Sequence, residues 1–223
     1  MILLAALGVA GCAAHTMQLP PSLAAASSIV RDITGTQGSI AGAARVGDSV
    51  GRYQRSFVRV TVLEADRRDA GSMTMAISGA VAMQADCRLS ERSIGGNTLQ
   101  IRVTPFQMSC DLINNQGVSG QLELFEIAEP VAGPIVRTTR AGGIRYGGKT
   151  FDLLPNYRMN GQDVSHATPV GYILMDAGSE IAAIETDTSP RLIVRDNIEV
   201  ESEEIAVAAA LILTTFWDKR TMQ

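Results

Sequence analysis

The sequence predicts a mainly β fold, an antiparallel β-barrel or sandwich that encloses one apolar C-terminal helix. Two observations carry this. From Phe57 onward, short runs rich in β-branched residues follow one another, separated by Gly, Asn, Asp and Pro, with no helical pattern between them. Strand after strand without intervening helices argues for antiparallel pairing rather than alternating β-α units. Near the end, residues 206–217 read AVAAALILTTFW, a run with no charge on any face. A helix that is apolar all round cannot rest on a solvated sheet and must be enclosed. It is also shorter than the roughly 20 apolar residues a membrane span needs.

The first strand candidate has Phe57, Arg59, Thr61 and Leu63 alternating with Val58, Val60 and Val62. This is period-2 patterning. Further strands are expected over Met73–Met83, Thr98–Met108, Val118–Ile127, Ile135–Thr139, Phe151–Leu154, Val170–Asp176, Ile181–Thr186 and Arg191–Arg195. Asp66-Arg67-Arg68-Asp69 reads as a solvated charge cluster at a turn, and Asn114-Asn115-Gln116-Gly117 as another turn. Met73, Met75 and Met83 read as core filling, with Met73 and Met75 on one face. The terminal helix is expected over residues 202–219. Ser202 would cap it, Glu203 and Glu204 favour its positive end, and Lys219 and Arg220 close it.

At the other end, Ile2 to Ala10 is apolar, and Val9-Ala10-Gly11-Cys12 closes it. These four residues resemble a bacterial lipobox. The resemblance implies a signal peptide over residues 1–11 and a mature chain that begins at Cys12. Acylation of the thiol with palmitate-like chains and of the new amino terminus would supply more than one buried chain, enough for stable anchoring. Two features depart from the pattern: no Lys or Arg precedes the apolar run, and only eleven residues precede Cys12. In Gram-negative lipoproteins an Asp after the cysteine favours inner-membrane retention. Here Ala13 stands there, which implies an outer-membrane, periplasm-facing address. Residues 12–54, rich in Ala, Ser and Gly with Pro20-Pro21, read as a flexible tether, with a short helix conceivable from Ser22 to Ile33. Residues 55–220 then form the β-rich domain.

An oxidising compartment makes a disulfide the default for the remaining cysteines, Cys87 and Cys110. A tight turn at Gly95-Gly96-Asn97 would instead set Cys87 opposite a position near Thr104, so pairing requires a looser turn or another strand arrangement. A metal site from these cysteines and a histidine lacks the close ligand spacing of zinc sites.

The C-terminal third, with Gly171-Tyr172-Ile173-Leu174-Met175-Asp176, Gly178, Ile181-Ala182-Ala183-Ile184-Glu185, Leu192-Ile193-Val194 and the apolar helix, is similar to the end of the tubby-like superfamily, which includes scramblases and LURP-one-related proteins. That resemblance implies a closed barrel threaded by its last helix, and a lipid- or membrane-related role. No binding residue of the superfamily maps onto this chain.

Composition excludes more than it assigns. Net charge is -4, which offers no basic face to nucleic acid. Gly143-Ile144-Arg145-Tyr146-Gly147-Gly148-Lys149-Thr150 satisfies the nucleotide-binding pattern G-x-x-x-x-G-K-[ST]. That chemistry needs the turn to enter a helix, whereas Phe151-Asp152-Leu153-Leu154-Pro155 has β character. Asp163, Ser165 and His166 sit close in sequence, but Ser165 lacks a G-x-S-x-G elbow. His15 has no partner nearby. The sequence therefore points to a non-enzymatic envelope lipoprotein without cofactor, metal or nucleotide. Its partners would be the membrane, through its anchor, and an envelope protein. A lipid- or small-apolar-ligand-binding module is the alternative, and a hydrolase a remote one.

Overall fold

The computed structural model describes residues 16–216, apart from 38–39, 63–65, 96–99, 133–134, 163–165, 167–168 and 188. Cys12 and His15 lie outside the described residues, as do Asp163, Ser165 and residues 217–220 of the expected helix end.

Twelve antiparallel strands close into one barrel. A five-residue helix α1 (Pro21–Ala25) leads into β1 (Ser28–Thr34), β2 (Ala41–Val46), β3 (Ser49–Val62), β4 (Asp66–Ser78), β5 (Met83–Gly95) and β6 (Gln100–Asn114). The chain continues through β7 (Ser119–Ala132), β8 (Ile135–Tyr146), β9 (Lys149–Asn156), β10 (Gly171–Asp176), β11 (Ser179–Glu185) and β12 (Arg191–Arg195) to the helix α2 (Val200–Thr215). Each strand pairs with its sequence neighbours, and β1 against β12 shuts the ring over Ser28↔Arg195 to Asp32↔Arg191.

The expectation of an enclosed helix holds. Ile205 through Ile212 of α2 are all buried, on every side of the helix. Small side chains make this fit. Ala206, Ala208, Ala209 and Ala210 let the wall approach, and across from Leu211 the wall carries Gly51. A Cβ on Gly51 would stand 2.9 Å from the Met75 sulfur and 3.4 Å from Leu211 Cδ1. The expected Ser202 cap does not form. Glu199 is the N-cap residue and supplies no side-chain bond, while the Ser202 hydroxyl donates to Asp176 Oδ2 at 3.2 Å. The helix ends at Thr215. Its last turn holds no cation of its own, and a strand supplies one: Arg55 of β3, buried in the barrel, donates to the Thr215 carbonyl oxygen. Its guanidinium also sits 5.1 Å from the Tyr53 ring centre. Burial pushes the Arg55 pKa below its ordinary value, with Tyr53 opposing.

Residues 28–54 are not a tether. They form β1, β2 and the first part of β3, all within the ring. Their inward positions are Ala44, Val46, Gly51 and Tyr53. The alternation is real, but Ala44 and Gly51 among its buried members are small enough to weaken it in a hydropathy reading. Residues 16–25 pack outside the ring instead. Met17 and Leu23 join Met159, Val170, Ile173, Ala183 and Ile193 in a second core on the outer side of β10 to β12. The Met17 amide donates to the buried Glu185 carboxylate at 2.8 Å, and Arg191 holds that carboxylate from its other oxygen. The helix expected from Ser22 shrinks to α1, with Pro20 as its N-cap residue and no side-chain cap.

Cys87 and Cys110 stand directly opposite each other on β5 and β6, both fully buried and disulfide-bonded. The register explains how. The ladder starts at Gly95↔Gln100, across a loop wider than a tight turn, and then shifts twice, between Ser93 and Arg92 and between Arg92 and Ser90. Each shift adds one residue on β6, and Pro105, which has no amide to donate, falls in the second one. Together these move the partner of Cys87 from the region of Thr104 to Cys110.

At the α2 C-terminal end the strands outrun the ring. The β2–β3 ladder ends at Ala41↔Gln54, β6–β7 at Gln107↔Phe125 and β8–β9 at Gly142↔Leu153. Beyond these points β3 to β6 continue as a four-stranded lip, and β7 with β8 as a two-stranded one. The Asp66–Asp69 segment is therefore not a solvated turn but the first turn-free stretch of β4. Its charges alternate between faces. Asp69, buried, holds Arg59 and Arg67 on the inner face. Asp66 holds Arg68 and Arg92 on the outer face, and hydrogen bonds from Arg92 and Arg68 lower its carboxyl to about 2.

Two outcomes are expected. Arg55→Met leaves the Thr215 carbonyl without its donor, so urea unfolding shows a loss of about 1–3 kcal/mol, with far-UV circular dichroism of the native state retained. Replacing Cys87 and Cys110 together by Ala lowers stability by about 3 kcal/mol through the chain entropy of the opened loop, and the variant no longer responds to reductant.

Candidate outer groove

With α2 inside the ring, the hollow in the wall lies on its outer surface. A concavity of about 1140 Å³ runs across β3 to β9. Strand periodicity builds it. On β3, β4 and β5 odd-numbered residues face α2, so Arg52, Gln54, Thr74, Ala76, Gln84 and Asp86 face out. On β6 and β7 even-numbered residues are buried, so Asp111 and Gln121 face out in turn. The ladder registers then align one polar row: Gln54↔Thr74, Thr74↔Asp86, Asp86↔Asp111, Asp111↔Gln121, Gln121↔Arg145 and Arg145↔Thr150. Adjacent members stand one strand spacing apart, so the row crosses the wall as an evenly spaced line of hydrogen-bonding side chains.

Its centre is the informative part. Asp86 and Asp111 are directly opposed carboxylates, both exposed. Like charges in that position destabilise a sheet. Neither has an ion-pair partner among the described residues. Toward one end the row becomes cationic: Arg145 donates to Gln121 Oε1 at 2.6 Å and reaches Glu123 Oε2 at 3.5 Å. Arg52 lies near the other end, on the row beside Gln54. The groove is thus lined by groups that can donate and accept, with an acidic centre and cationic flanks.

The stretch Gly143–Thr150 borders this groove, and its structure explains why the nucleotide pattern has no matching fold. It runs from β8 through a tight turn at Gly147-Gly148 into β9, strand to strand. Both turn residues have positive φ, 57° and 83°. Glycine is needed at Gly147 for a second reason. A Cβ there would lie 1.7 Å from Glu201 Oε1. Lys149 bonds Glu199 and also pairs with Glu201, at 3.6 Å. The hydrogen bond to Glu199 raises the Lys149 pKa and lowers that of Glu199. Turn and lysine therefore staple the β8–β9 hairpin to the start of α2. Beneath it, burial pushes the Tyr146 phenol above its ordinary pKa, and the Glu204 carboxylate adds to the shift.

The remaining sequence candidates are dispersed. His166 Nε2 is 2.8 Å from Gln162 Oε1, and its backbone amide donates to Tyr157. The Asn114 side chain accepts from the Gln116 and Val118 amides, which makes the β6–β7 turn. Met73, Met75 and Met83 are buried core. No group of three or more His, Cys, Asp or Glu side chains suited to a metal ion occurs among the described residues. No described helix is long and apolar enough to cross a membrane. Sequence reading missed the groove, because no single segment carries it. Seven strands, β3 to β9, contribute one or two residues each, and only register aligns them.

Asp111→Asn removes half of the opposed carboxylate pair. The variant is expected to gain roughly 0.2–1 kcal/mol, seen as a raised melting temperature whose increment shrinks in high salt. Comparison with protein-family models, with curated proteins and with solved structures finds no match to this chain, so the groove and the barrel are read on their own chemistry.

Proposed function

We propose that this chain is a non-enzymatic envelope lipoprotein, lipid-anchored through Cys12 to the outer membrane, whose barrel holds a polar partner in the groove across β3 to β9. The observation that carries the binding part of this reading is the placement of α2. It occupies the barrel interior, so the concave surface described here is the outer one, and a row of polar and charged side chains crosses that surface. The opposed Asp86 and Asp111 support it as well. A pair that weakens the bare sheet is relieved when a donor-rich or cationic group arrives between them. The address rests on Val9-Ala10-Gly11-Cys12 and on Ala13.

The second reading, a module for a lipid or small apolar ligand in tubby-like form, needs an apolar space, and α2 fills the place where a barrel would offer it. A hydrolase built on His166 is favoured by no contact described above.

Cys12→Ser is expected to abolish incorporation of labelled palmitate in cells and to move the protein from the membrane to the soluble fraction. If the variant still acquires label, the anchor reading is wrong. For the groove, a photo-crosslinking residue at Thr74 in intact cells is expected to trap an envelope partner that the same residue at Val30, exposed on β1, does not. Equal yields at both positions would overturn the groove assignment.

A further inference from the structure

The outer half of β3 is a strand edge with no described residue paired on the side away from β4. Beyond Gln54 and Arg55, residues 58–62 pair with β4 on one side and with no described residue on the other. Val58, Val60 and Val62 are 56%, 48% and 44% exposed. Which backbone groups face the open side follows from Arg55, whose amide donates away from β4 to the Ile40 carbonyl. The β3–β4 register runs unbroken from Val50 to Val62. The amides and carbonyls of Arg59 and Thr61 therefore also point away from β4, while those of Val58, Val60 and Val62 bond to it.

Exposed edges of this kind are ordinarily guarded by proline, a bulge, an unpaired charge or a cover. The β6 edge of this lip and the β8 edge of the other are. Along β6 the register shifts twice and Pro105 interrupts the donors. Along β8, Thr139 and Arg140 are buried. Residues 58–62 have no proline and no bulge, and their one charge is spent internally: Arg59 is bound through two nitrogens to Asp69, at 2.9 and 3.3 Å. On the outward face Asp66 is ion-paired with both Arg68 and Arg92, so these neighbouring charges are held in one cluster with a single cation in excess.

The segment Val58-Arg59-Val60-Thr61-Val62 is also nearly palindromic. We propose that this edge pairs antiparallel with the same edge of a second copy of the chain, about a two-fold axis through Val60. In that register Arg59 faces Thr61 of the second copy, and the two exchange amide-to-carbonyl bonds in both halves, using the open groups identified above. Val60 faces Val60, and Val58 faces Val62, so three valines from each copy form one apolar strip on the outer face. Sliding the copies by two residues in one direction would oppose Arg59 to Arg59 and lose the match. The two four-stranded lips would then join into one continuous eight-stranded sheet. An isologous pairing of this sort closes on itself: it uses up both β3 edges, and the joined sheet ends on the two β6 edges, where the register shifts and Pro105 interrupt pairing.

The test is disulfide trapping in the full chain, followed by non-reducing electrophoresis. Val60→Cys places two thiols across a non-hydrogen-bonded pair, where opposed Cβ atoms are closest. It is expected to give a covalent dimer of doubled mass under mild oxidation. Val58→Cys alone is expected to stay monomeric, as is the parent chain, while a mixture of Val58→Cys and Val62→Cys gives the dimer. Thr61→Pro removes an amide that β4 does not use, so it is expected to abolish trapping through Val60→Cys while the melting temperature and circular dichroism stay close to those of the parent. Absence of dimer from Val60→Cys, equal trapping by Val58→Cys alone, or trapping that survives Thr61→Pro would overturn the proposal. Trapping of a different protein through Val60→Cys in cells would also overturn it.

Discussion

The structure depends on one constraint: α2 has no polar face. A helix that must hide every side sets the requirement for a wall all round it, and a twelve-stranded ring meets that requirement. Consecutive positions such as Ala208, Ala209 and Ala210 are all buried, which a helix packed on one side of a sheet would not show. Its small side chains and Gly51 in the wall reflect the same demand, because a wall cannot close tightly around bulky residues on every side. The ends of the helix are then the costly parts. Backbone groups there lie against the barrel rather than in water, so each needs a partner. At the C-terminal end that partner is Arg55, on a strand some 160 residues away in sequence. At the N-terminal end the charged hairpin of Lys149 meets Glu199 and Glu201.

Filling the interior leaves the outer wall as the open concave surface. A hollow barrel presents a ligand with its lumen. Here the same strands present their outward residues, and the register turns alternate positions into a polar line with two opposed carboxylates at its centre. The neighbouring valine edge lies on the same strand as Arg52 and Gln54, further along β3. Groove and edge are thus two stretches of one outer face, the first curved and crossed by a polar row, the second lined by exposed valines. The motif that most resembles a nucleotide site serves the scaffold: Gly147 makes room for Glu201, and Lys149 fastens the hairpin to the helix.

Much of this was legible from the chain before its fold was in view, and the failures are informative. The strand at Arg191–Arg195 was read with its observed limits, and the later strands from Gly171 onward came close to theirs, because these short runs are buried on both faces and stay apolar throughout. Residues 28–54 were misread as a tether because Ala44 and Gly51 face the helix, and small residues weigh little in a hydropathy pattern. Asp66 to Asp69 was misread as a turn because four charges in a row suggest water. In a strand they divide between two faces, where Arg59, Arg67, Arg68 and Arg92 meet them.

What the sequence alone determined is local. Apolar periodicity marks strands, and an uncharged run bounded by charges marks a helix that must be enclosed. What only the tertiary structure decided is the alignment of distant segments: that β1 meets β12, that Cys87 meets Cys110, that Asp86 meets Asp111 and that residues 58–62 pair with β4 and with no described residue on their other side. The physical reason is that strand pairing is non-local. A partner's identity depends on every loop length and bulge between the two strands, and a shift of one residue sends each side chain to the opposite face. The two register shifts beside Pro105 illustrate it: without them the same two cysteines would not face each other.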